Sequence, residues 1–568
     1  MAFLLVLTVL LPAVGALLLA FRGHRPVAET RAIALGFALG TLALTVLLLA
    51  NFDAGYAGMQ FAFGGGRGEP YGIGLTGRDA GIRFALGLDG ISVGLFALTA
   101  LLGVTAVCCS WDSIRDRAST NYALLLALQS GLLGLFASLD VILFYVFFEF
   151  TLIPLFFLIG IFGGVERRRA SLTFFLYTLA GSLLTLLGMV ALVAIHASRS
   201  PEHTLTFSIP ELTAGLAALP WADWQAPHAW GDGGAFWMSP QVLIFLLLLA
   251  GFGAKLAFFP LHTWQPLAYS EAPTGATILL AGAASKVGCY GLLRFNLGMT
   301  PIGAEALAPL MATLGTIAII YGALAALAQH DLKRLIAYSS ISHMGFVVLG
   351  LFSLNATGIE GATIQMVNHG LTTGALFACV GLLADRYRTR DINELGGLWN
   401  RYPGWSFLIM VAALGSAALP GLNGFIGEFP ILAGMYQSRP RTTVVATLGM
   451  ILGAYYLLWM LQRVVFGPLR EPTVYADPAA VPNGAAPGYP TGPTPFGPVE
   501  LGGIIPLVVL IFAIGLVPAP FVDRIKPPIA PIVEHLQPRP RPAAVADQAV
   551  AADVASVSVP PSSRPTGE

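Results

Sequence analysis

Residues Val242–Arg294, with the sequence VLIFLLLLAGFGAKLAFFPLHTWQPLAYSEAPTGATILLAGAASKVGCYGLLR, contain two apolar segments, each long enough to enter a lipid bilayer. Each segment has one lysine, Lys255 in the first and Lys286 in the second, and the break between them is rich in His, Trp and Pro. A charged side chain near the bilayer centre costs about 2.5–3.5 kcal/mol on insertion scales, and such residues typically mark ion or proton pathways. A lysine near a helix end can instead extend its ammonium group to the membrane surface. Lys286 has apolar sequence on both sides, so the pattern predicts a functional role for it, and we extend this prediction to Lys255.

The composition indicates a membrane protein with many spans. Of the 568 residues, 56% are hydrophobic and only 11% are charged, whereas a soluble domain has about 25% charged residues. The formal net charge of zero argues against nucleic acid as a partner. All four cysteines lie in apolar segments without C-x-x-C spacing, which argues against a disulfide framework, a zinc site or an iron–sulfur cluster; they are Cys108, Cys109, Cys289 and Cys379.

Apolar runs of about 20 residues predict an all-α polytopic fold with fourteen transmembrane helices. The predicted ranges are 3–20, 31–50, 88–110, 120–138, 140–162, 171–197, 240–260, 273–297, 306–328, 334–354, 361–385, 404–437, 442–466 and 500–519. The first run lacks a preceding basic stretch, so we interpret it as a membrane helix rather than a signal peptide. The loop from 198 to 239 contains Trp221, Trp224, Trp230 and Trp237, which suits the headgroup region. Residues 468–499 and 521–568 are rich in Pro, Ala and Gly and are predicted to be disordered.

Basic residues predict the orientation in the membrane. They concentrate in the loops after the first, third, fifth, ninth and eleventh predicted helices, namely Arg22, Arg25, Arg31, Arg115, Arg117, Arg167, Arg168, Arg169, Lys333, Arg334, Arg386, Arg388, Arg390 and Arg401. Loops on the opposite side of the membrane have fewer basic residues, except for the long second loop, which has Arg67, Arg78 and Arg83. The bias places both termini on the non-cytoplasmic side.

Two glutamates also stand in apolar runs, Glu149 in FYVFFEFTLIPLFF and Glu428 in LPGLNGFIGEFPILAG. Burial disfavours the charged forms of Lys and Glu, whereas proximity of opposite charges favours them. A lysine whose acidic partner can move away therefore becomes able to release a proton, which is the requirement for a switchable proton site. The alternative is a static ion pair that holds two helices together.

Histidines and hydroxyl groups form a further polar set inside predicted helices. His343 lies in LIAYSSISHMGFVVLG and His369 in IQMVNHGLTTGALF, while His262 lies at the break after Lys255. Polar groups at this depth must bond one another or line water, and a His, Ser and Tyr chain could relay protons. The alternatives are hydrogen bonding between helices and a bis-histidine haem.

Two predicted helices are interrupted, the seventh at Pro260 and the twelfth at Leu419-Pro420-Gly421. Interruptions near charged residues, at corresponding positions of two units, are expected of inverted-repeat transporters. We therefore predict two inverted five-helix repeats, 120–297 and 306–466, between an N-terminal region (1–110) and a last helix (500–519).

Several motifs of this chain resemble those of antiporter-like membrane subunits. They are HTWQPLAYSEAPTGATILLAG, DLKRLIAYSSISHMGFVVLG, VNHGLTTGALF, RDINELGGLW and LPGLNGFIGEF, and they cover most of residues 140–430. Their order and spacing resemble the M-type subunits of bacterial NADH:quinone oxidoreductase (respiratory complex I). One departure is that Pro266-Leu267-Ala268-Tyr269 stands where the usual signature has P-D-A-H, which weakens any role of that loop in proton entry.

The resemblance implies proton translocation in the inner membrane, driven by quinone reduction elsewhere in a complex. Glu149 is then the acid paired with Lys255, Lys286 is the central relay lysine and Glu428 is the terminal acid. His343 and His369 match polar positions between Lys286 and Glu428, and His262 stays an open candidate. Glu428 at a position where related subunits tend to have Lys favours the M type.

The resemblance also implies that FMN, iron–sulfur clusters and quinone bind to partner subunits, with L-type and N-type neighbours. FGGGRGEPYG lies in a polar loop rather than a βαβ unit, so no nucleotide site is predicted in this chain. Two rival interpretations are a subunit of a multi-subunit Na⁺/H⁺ antiporter, which shares these signatures, and a scaffold subunit that does not pump.

Overall fold

The computed structural model describes residues 1–21, 26–63, 71–75, 81–199, 205–219, 239–472 and 494–536, most of which are helical. Within these residues, twelve helices are long and apolar enough to cross a membrane, and two shorter apolar helices span Pro240–Leu256 and Pro403–Ser416. The chain is therefore a multi-pass membrane protein. The four loop tryptophans and Arg22, Arg25, Arg67 and Arg78 lie outside the described residues.

We number the helices in chain order. They are α1 (Ala2–Phe21), α2 (Val27–Ala50), α3 (Ser92–Cys109), α4 (Ala118–Ala137), α5 (Val141–Phe150), α6 (Leu152–Phe162), α7 (Arg167–Arg199), α8 (Ile209–Ala218), α9 (Pro240–Leu256), α10 (Gln265–Glu271), α11 (Thr274–Leu297), α12 (Pro301–Leu327), α13 (Leu332–Leu351), α14 (Ala356–Tyr387), α15 (Pro403–Ser416), α16 (Asn423–Ser438), α17 (Pro440–Val464), α18 (Pro498–Leu516), α19 (Ala519–Val522) and α20 (Lys526–Leu536). Ile73–Gly74 and Arg83–Phe84 pair as two short antiparallel strands.

Polar side chains mark where helices begin. Asp140 accepts hydrogen bonds from the backbone N–H groups of Ile142 and Leu143 at 2.9 and 3.1 Å, at the start of α5. Asp331 and Asn355 cap α13 and α14 in the same way. Such caps satisfy backbone donors that the first turn of a helix leaves unpaired.

The loops with basic residues gather at one end of the bundle, which we call the basic end. The backbone N–H of Gly164 donates to the carbonyl of Glu271 at 2.9 Å, and Lys333 Nζ donates to the carbonyl of Ala272 at 3.0 Å. The N–H of Leu332 donates to the carbonyl of Arg390 at 3.0 Å. The segments after α6, α10, α12 and α14 therefore meet at this end.

Helices α3, α11, α13 and α14 are the most buried of the long apolar helices described. The most apolar stretch of α11 is completely buried, and so are 94% of that of α14 and 89% of those of α3 and α13, whereas α1, α2 and α17 are less than half buried. Lys286, His343 and His369 lie on α11, α13 and α14. Their polar groups must therefore find partners inside the protein, since lipid offers none.

Both predicted helix breaks are present. Helix α9 ends at Leu256, Ala257 has a left-handed φ of 56°, and α10 follows before α11. Between α15 and α16, Ala418 and Gly421 have φ values of 55° and 91°. The break thus separates Lys255 from Lys286 by an irregular segment and a short helix.

The structure also has irregularities that the sequence analysis did not predict. The range 140–162, predicted as one helix, forms one apolar span of membrane length, but within it α5 and α6 meet at Thr151, whose hydroxyl donates to the carbonyl of Phe148 at 2.9 Å. Helix α11 contains two π-helical segments, Leu280–Ala284 and Leu292–Leu297, on either side of Lys286. Segments of π-helix occur frequently at functional sites.

The prediction of disorder from residue 521 onward is wrong for residues up to 536, which include the last two residues of α19 and all of α20. In α20, Ile529, Ile532 and Leu536 recur at helical spacing and are buried. The proline-rich composition concealed this apolar stripe. Residues 537–568 lie outside the described residues.

A buried ion pair fixes α18 against α14. Arg386 binds both carboxylate oxygens of Glu500, at 3.3 and 2.5 Å, and its guanidinium lies 4.0 Å from the ring centre of Phe496. Glu500 also accepts from the backbone N–H of Gly497 at the start of α18. Removing one partner of such a pair leaves a buried charge without its counter-ion and costs about 3–5 kcal/mol.

We predict that Glu500→Gln destabilises the docking of α18. Because a loss of about 3 kcal/mol corresponds to roughly a hundredfold change in an opening equilibrium, amide exchange in α18 should accelerate by about that factor in hydrogen–deuterium exchange. Asp523→Asn is the control, since it breaks only the exposed pair with Lys526 and such pairs contribute little. Unchanged exchange in α18 of the Glu500 variant would contradict the role given to this pair.

Candidate functional site

Lys286 lies midway along α11 and is completely buried. Its ammonium group has three acceptors, namely the carbonyl of Ala281 at 2.5 Å, the hydroxyl of Ser285 at 3.2 Å and Nδ1 of His369 at 2.7 Å. The π-helical segment accounts for the first contact, since it alters the carbonyl positions one turn before the lysine. The three N–H groups of the ammonium group thus have three acceptors. No carboxylate in the described part of the chain pairs with Lys286.

His369 and His343 form the middle of the site. Nε2 of His369 contacts the hydroxyl of Thr373 at 3.1 Å, and Nε2 of His343 contacts the hydroxyls of Ser416 at 3.0 Å and Tyr456 at 3.5 Å. The two ring centres are 5.6 Å apart. The rings are therefore neighbours, but each directs its nitrogens to other groups.

Glu428 is the last residue of a line of neighbouring side chains that begins at Lys286 and continues through His369 and His343. Its Oε1 accepts from Nδ1 of His343 at 2.8 Å and from the side-chain amide of Gln365 at 3.0 Å. The carboxylate is 2% exposed, and the helix break before α16 brings it into the core. With its proton on Nδ1, His343 donates to Glu428 and accepts from Ser416 through Nε2.

Lys255 and Glu149 are close to each other but not bonded. Lys255 Nζ donates to the carbonyl of Phe148 at 2.5 Å and to the hydroxyl of Thr151 at 3.1 Å, and it lies 3.6 Å from the ring centre of Phe148. Oε1 of Glu149 is buried without a hydrogen-bonding partner among the described residues. Glu149 exerts a coulombic interaction on Lys255, but the two do not form an ion pair in this structure, contrary to the predicted pairing.

His262 lies apart from the other predicted site residues. Its Nε2 contacts the hydroxyl of Tyr321 at 3.2 Å, and its ring stacks on Phe259 at 5.5 Å between centres. No hydrogen bond within the described ranges joins it to either lysine. The geometry places His262 between the helix break and α12.

Several neutral polar residues of the site were not singled out from the sequence. They bond the predicted residues directly, and they are Thr151, Ser285, Gln365, Thr373, Ser416 and Tyr456. Four of these were detectable as polar residues one or two positions, or one helical turn, from a predicted one: Thr151, Ser285, Gln365 and Thr373. Ser416 and Tyr456 come from distant segments, and no local pattern relates them to His343.

The histidines do not have the geometry of haem ligands. All four ring nitrogens of His343 and His369 already contact lysine, carboxylate or hydroxyl groups. Among the residues that the structure describes, no group of three or more His, Cys, Asp or Glu side chains is placed to hold a metal ion. What the arrangement can do chemically is transfer protons between neighbouring groups.

Comparisons with known proteins agree with these motifs. A family model described as "NADH:quinone oxidoreductase/Mrp antiporter, TM" matches residues 138–453. The NADH-quinone oxidoreductase subunit M of Rhodobacter capsulatus is 37% identical over 536 residues, with 94% of this chain and 96% of that protein covered.

Solved structures share the fold. A chain of respiratory complex I from Thermus thermophilus with bound NADH matches with a TM-score of 0.78 and 29% identity, over 94% of this chain and all of that one. A chain of the Mrp complex from Dietzia sp. DQ12-45-1b matches with a TM-score of 0.72 over the same shares, and at 19% identity this shows the fold alone. The chain therefore belongs to the NADH:quinone oxidoreductase/Mrp antiporter family of membrane subunits, within its subunit M branch, and is one subunit of a multi-subunit membrane complex.

Proposed function

We propose that this chain translocates protons as a membrane-arm subunit of NADH:quinone oxidoreductase. The observation that carries the proposal is the pair of contacts Lys286–His369 and His343–Glu428, at 2.7 and 2.8 Å, in the most buried part of the bundle. Buried ionisable groups in membrane helices typically belong to proton relays, and here four of them form two bonded pairs side by side.

The first pair suits proton exchange because its hydrogen bond survives in either protonation state. A charged Lys286 donates to Nδ1 of His369, and a neutral Lys286 accepts from a protonated Nδ1 at the same distance. Ala281 and Ser285 accept the remaining lysine protons in both states. A proton can therefore move between the two side chains with little movement of heavy atoms.

The step between the two histidines is the interruption in the line. Their ring centres are 5.6 Å apart, and their nitrogens face Thr373 and Ser416 rather than each other. A proton crosses only when a ring rotates or a water molecule bridges the rings. We propose that this interruption is the gate that prevents free leakage of protons.

Glu428 receives the proton at the end of the line. Oε1 already accepts from His343 and Gln365, and the second carboxylate oxygen can bind the transferred proton. Release from Glu428 then restores the acceptor for the next transfer.

Lys255 and Glu149 control the entry of charge in this proposal. In the structure, Lys255 is held by Phe148 and Thr151, not by Glu149. When Glu149 is near Lys255 it favours the charged lysine, and when it moves away Lys255 passes its proton toward Lys286. The junction of α5 and α6 at Thr151 is where such a movement of Glu149 would be accommodated.

The remaining parts of the proposal concern the assembly. We infer fourteen membrane spans with two inverted five-helix repeats (120–297 and 306–466), the basic end on the cytoplasmic side of the bacterial inner membrane, and both termini on the other side. NADH oxidation, FMN, iron–sulfur clusters and quinone reduction belong to partner subunits, and L-type and N-type subunits flank this chain. His262 has no step in the mechanism.

A second candidate function is cation/proton antiport, which is favoured by the description of the matching family model, since it names the Mrp antiporter beside NADH:quinone oxidoreductase. Mass spectrometry of the native detergent-purified complex decides between the two. Subunits that contain flavin and iron–sulfur clusters support the proposed function, and a complex of small membrane subunits alone supports antiport.

We predict that Lys286→Ala removes the proton translocation that depends on this subunit. The complex should assemble and still reduce quinone, while the protons translocated per electron decrease, because the first bonded pair loses its proton donor. The measurement is proton uptake into vesicles alongside NADH oxidation. Lys526→Ala is the control, because it removes an exposed lysine outside the site, and its ratio of protons to electrons should stay normal.

A Lys286→Ala complex that assembles and pumps with normal stoichiometry would contradict the proposal. If Glu149, Lys255 and Lys286 variants each lose assembly instead of pumping, the chain is a scaffold.

We also predict that Glu428→Gln keeps the structure but blocks the end of the line. Glutamine has nearly the same shape and its carbonyl can still accept from His343, but it cannot take up a proton. Since positioned acid–base groups typically contribute about 10²-fold or more, proton transfer through this subunit should slow by at least that factor. The measurement is proton release in single-turnover experiments. Gln365→Glu is measured alongside, because it offers a carboxylate in the position adjacent to residue 428. Normal release in Glu428→Gln would show that the line ends elsewhere.

A further inference from the structure

Three buried residues beside Lys286 have polar atoms without hydrogen-bonding partners. They are Gln265 and Tyr269 of α10 and Ser340 of α13, each at most 1% exposed. Both amide atoms of Gln265, the phenol oxygen of Tyr269 and the hydroxyl of Ser340 are unpaired among the described residues. The mechanism above uses none of them.

These atoms face one another. The side chains of Gln265, Ser285 and Ser340 are polar neighbours of the Tyr269 phenol, but their geometry does not satisfy that of a direct hydrogen bond to it. Buried polar groups that converge without bonding one another directly are characteristic of a bridging water molecule. Ser285 in turn contacts Lys286 Nζ at 3.2 Å, so the group ends at the central lysine.

Burial of four unpaired polar atoms in one place is costly, because each loses its bonds to water. Buried water typically makes two to four hydrogen bonds to such atoms and is part of the structure. A water molecule here has both donors and acceptors around it. The amide of Gln265 donates through its nitrogen and accepts through its oxygen, and each of the three hydroxyl groups can donate or accept.

We propose that Gln265, Tyr269, Ser340 and Ser285 bind at least one ordered water molecule, which passes protons to Lys286. The transfer of protons to Lys286 rests on the proposed function, whereas the binding of water does not. The water accepts a proton from the side of α10 and donates one toward Ser285 and Lys286, so that no group in the cluster has to stay ionised. The phenol of Tyr269 orients the water and does not itself have to lose its proton.

The position of α10 supports this direction of transfer. Its last residues lie at the basic end, where Arg390 donates to the carbonyl of Ser270 and lies 3.9 Å from the carboxylate of Glu271. Lys333 donates to the next carbonyl, that of Ala272. The water site thus lies between a charged cluster at one end of the bundle and the central lysine.

The water site gives a role to the loop sequence Pro266-Leu267-Ala268-Tyr269, which departs from the P-D-A-H signature. Tyr269 stands where the family signature has histidine, and from the sequence this substitution argued against proton chemistry. A hydroxyl that both donates and accepts can hold a transferring water molecule without titrating. The loop therefore serves the relay through hydrogen bonding.

The direct test is a cryo-EM map of the native complex at a resolution that shows water. We expect a density peak about 2.7–3.2 Å from the Tyr269 phenol oxygen and from at least one of the other three side chains. Direct bonds among these side chains, or an empty space between them, would overturn the site. This result does not depend on whether the subunit pumps.

The functional test compares Tyr269→Phe with Tyr122→Phe, an equally buried tyrosine whose hydroxyl donates to the carbonyl of Ser110 at 2.9 Å away from the cluster. We expect Tyr269→Phe to slow proton uptake by about tenfold, with a larger solvent isotope effect, and Tyr122→Phe to leave the rate unchanged. Ser340→Ala should slow uptake in the same direction.

The outcomes separate the two proposals. If Tyr269→Phe and Ser340→Ala both pump at the normal rate although the water peak is present, the water is structural and its transfer role is wrong. If Lys286→Ala pumps normally while the water peak is present, the proposed function fails and the water site stands.

Discussion

Every polar group inside the bundle has to be satisfied by the protein or by water held within it, because neither lipid nor a packed apolar core supplies hydrogen-bonding partners. This constraint explains the arrangement around Lys286. Its ammonium group is surrounded by a backbone carbonyl, a hydroxyl and an imidazole, so that a charge is tolerated without a permanent counter-ion. A carboxylate at the same place would hold the proton on the lysine. Neutral partners leave the lysine able to exchange it, and this is the property that the proposed function needs.

The irregular backbone follows from the same constraint. The interior of a regular helix directs its carbonyl groups to its own N–H groups. The π-helical segment before Lys286 and the end of α9 instead provide carbonyl groups to side chains, that of Ala281 to Lys286 and that of Ala254 to Trp264. Lys255 uses the carbonyl of Phe148 at the end of α5 in this way. Irregular backbone in lipid survives only where protein or water satisfies it, so these segments lie in the buried centre of the bundle. The ionisable groups of the candidate site lie near these segments, buried on α9, α11, α13, α14 and α16.

Much of this architecture could be predicted from the sequence, because its determinants are local. Long apolar runs specify membrane helices, and a lysine or glutamate within such a run is conspicuous. Contacts between segments far apart in the chain could not be predicted in this way. The bond between Lys286 and His369 and that between His343 and Ser416 depend on how helices pack. The predicted ion pair of Glu149 with Lys255 is absent for the same reason, since the rotation of α5 decides which atom the lysine meets. The helix at Lys526–Leu536 was missed because its prolines suggested disorder while a few apolar residues anchor it.

The central claim is that protons pass along bonded pairs of side chains that end at Glu428. Time-resolved infrared difference spectroscopy of the membrane-reconstituted complex tests this most directly, with the band of a protonated carboxylic acid as the signal. We expect such a band to appear and decay within each turnover, and to be absent in Glu428→Gln but present in Glu166→Gln, which removes a surface carboxylate that pairs with Arg169. A carboxyl band that is unchanged in Glu428→Gln, during normal turnover, would contradict the account.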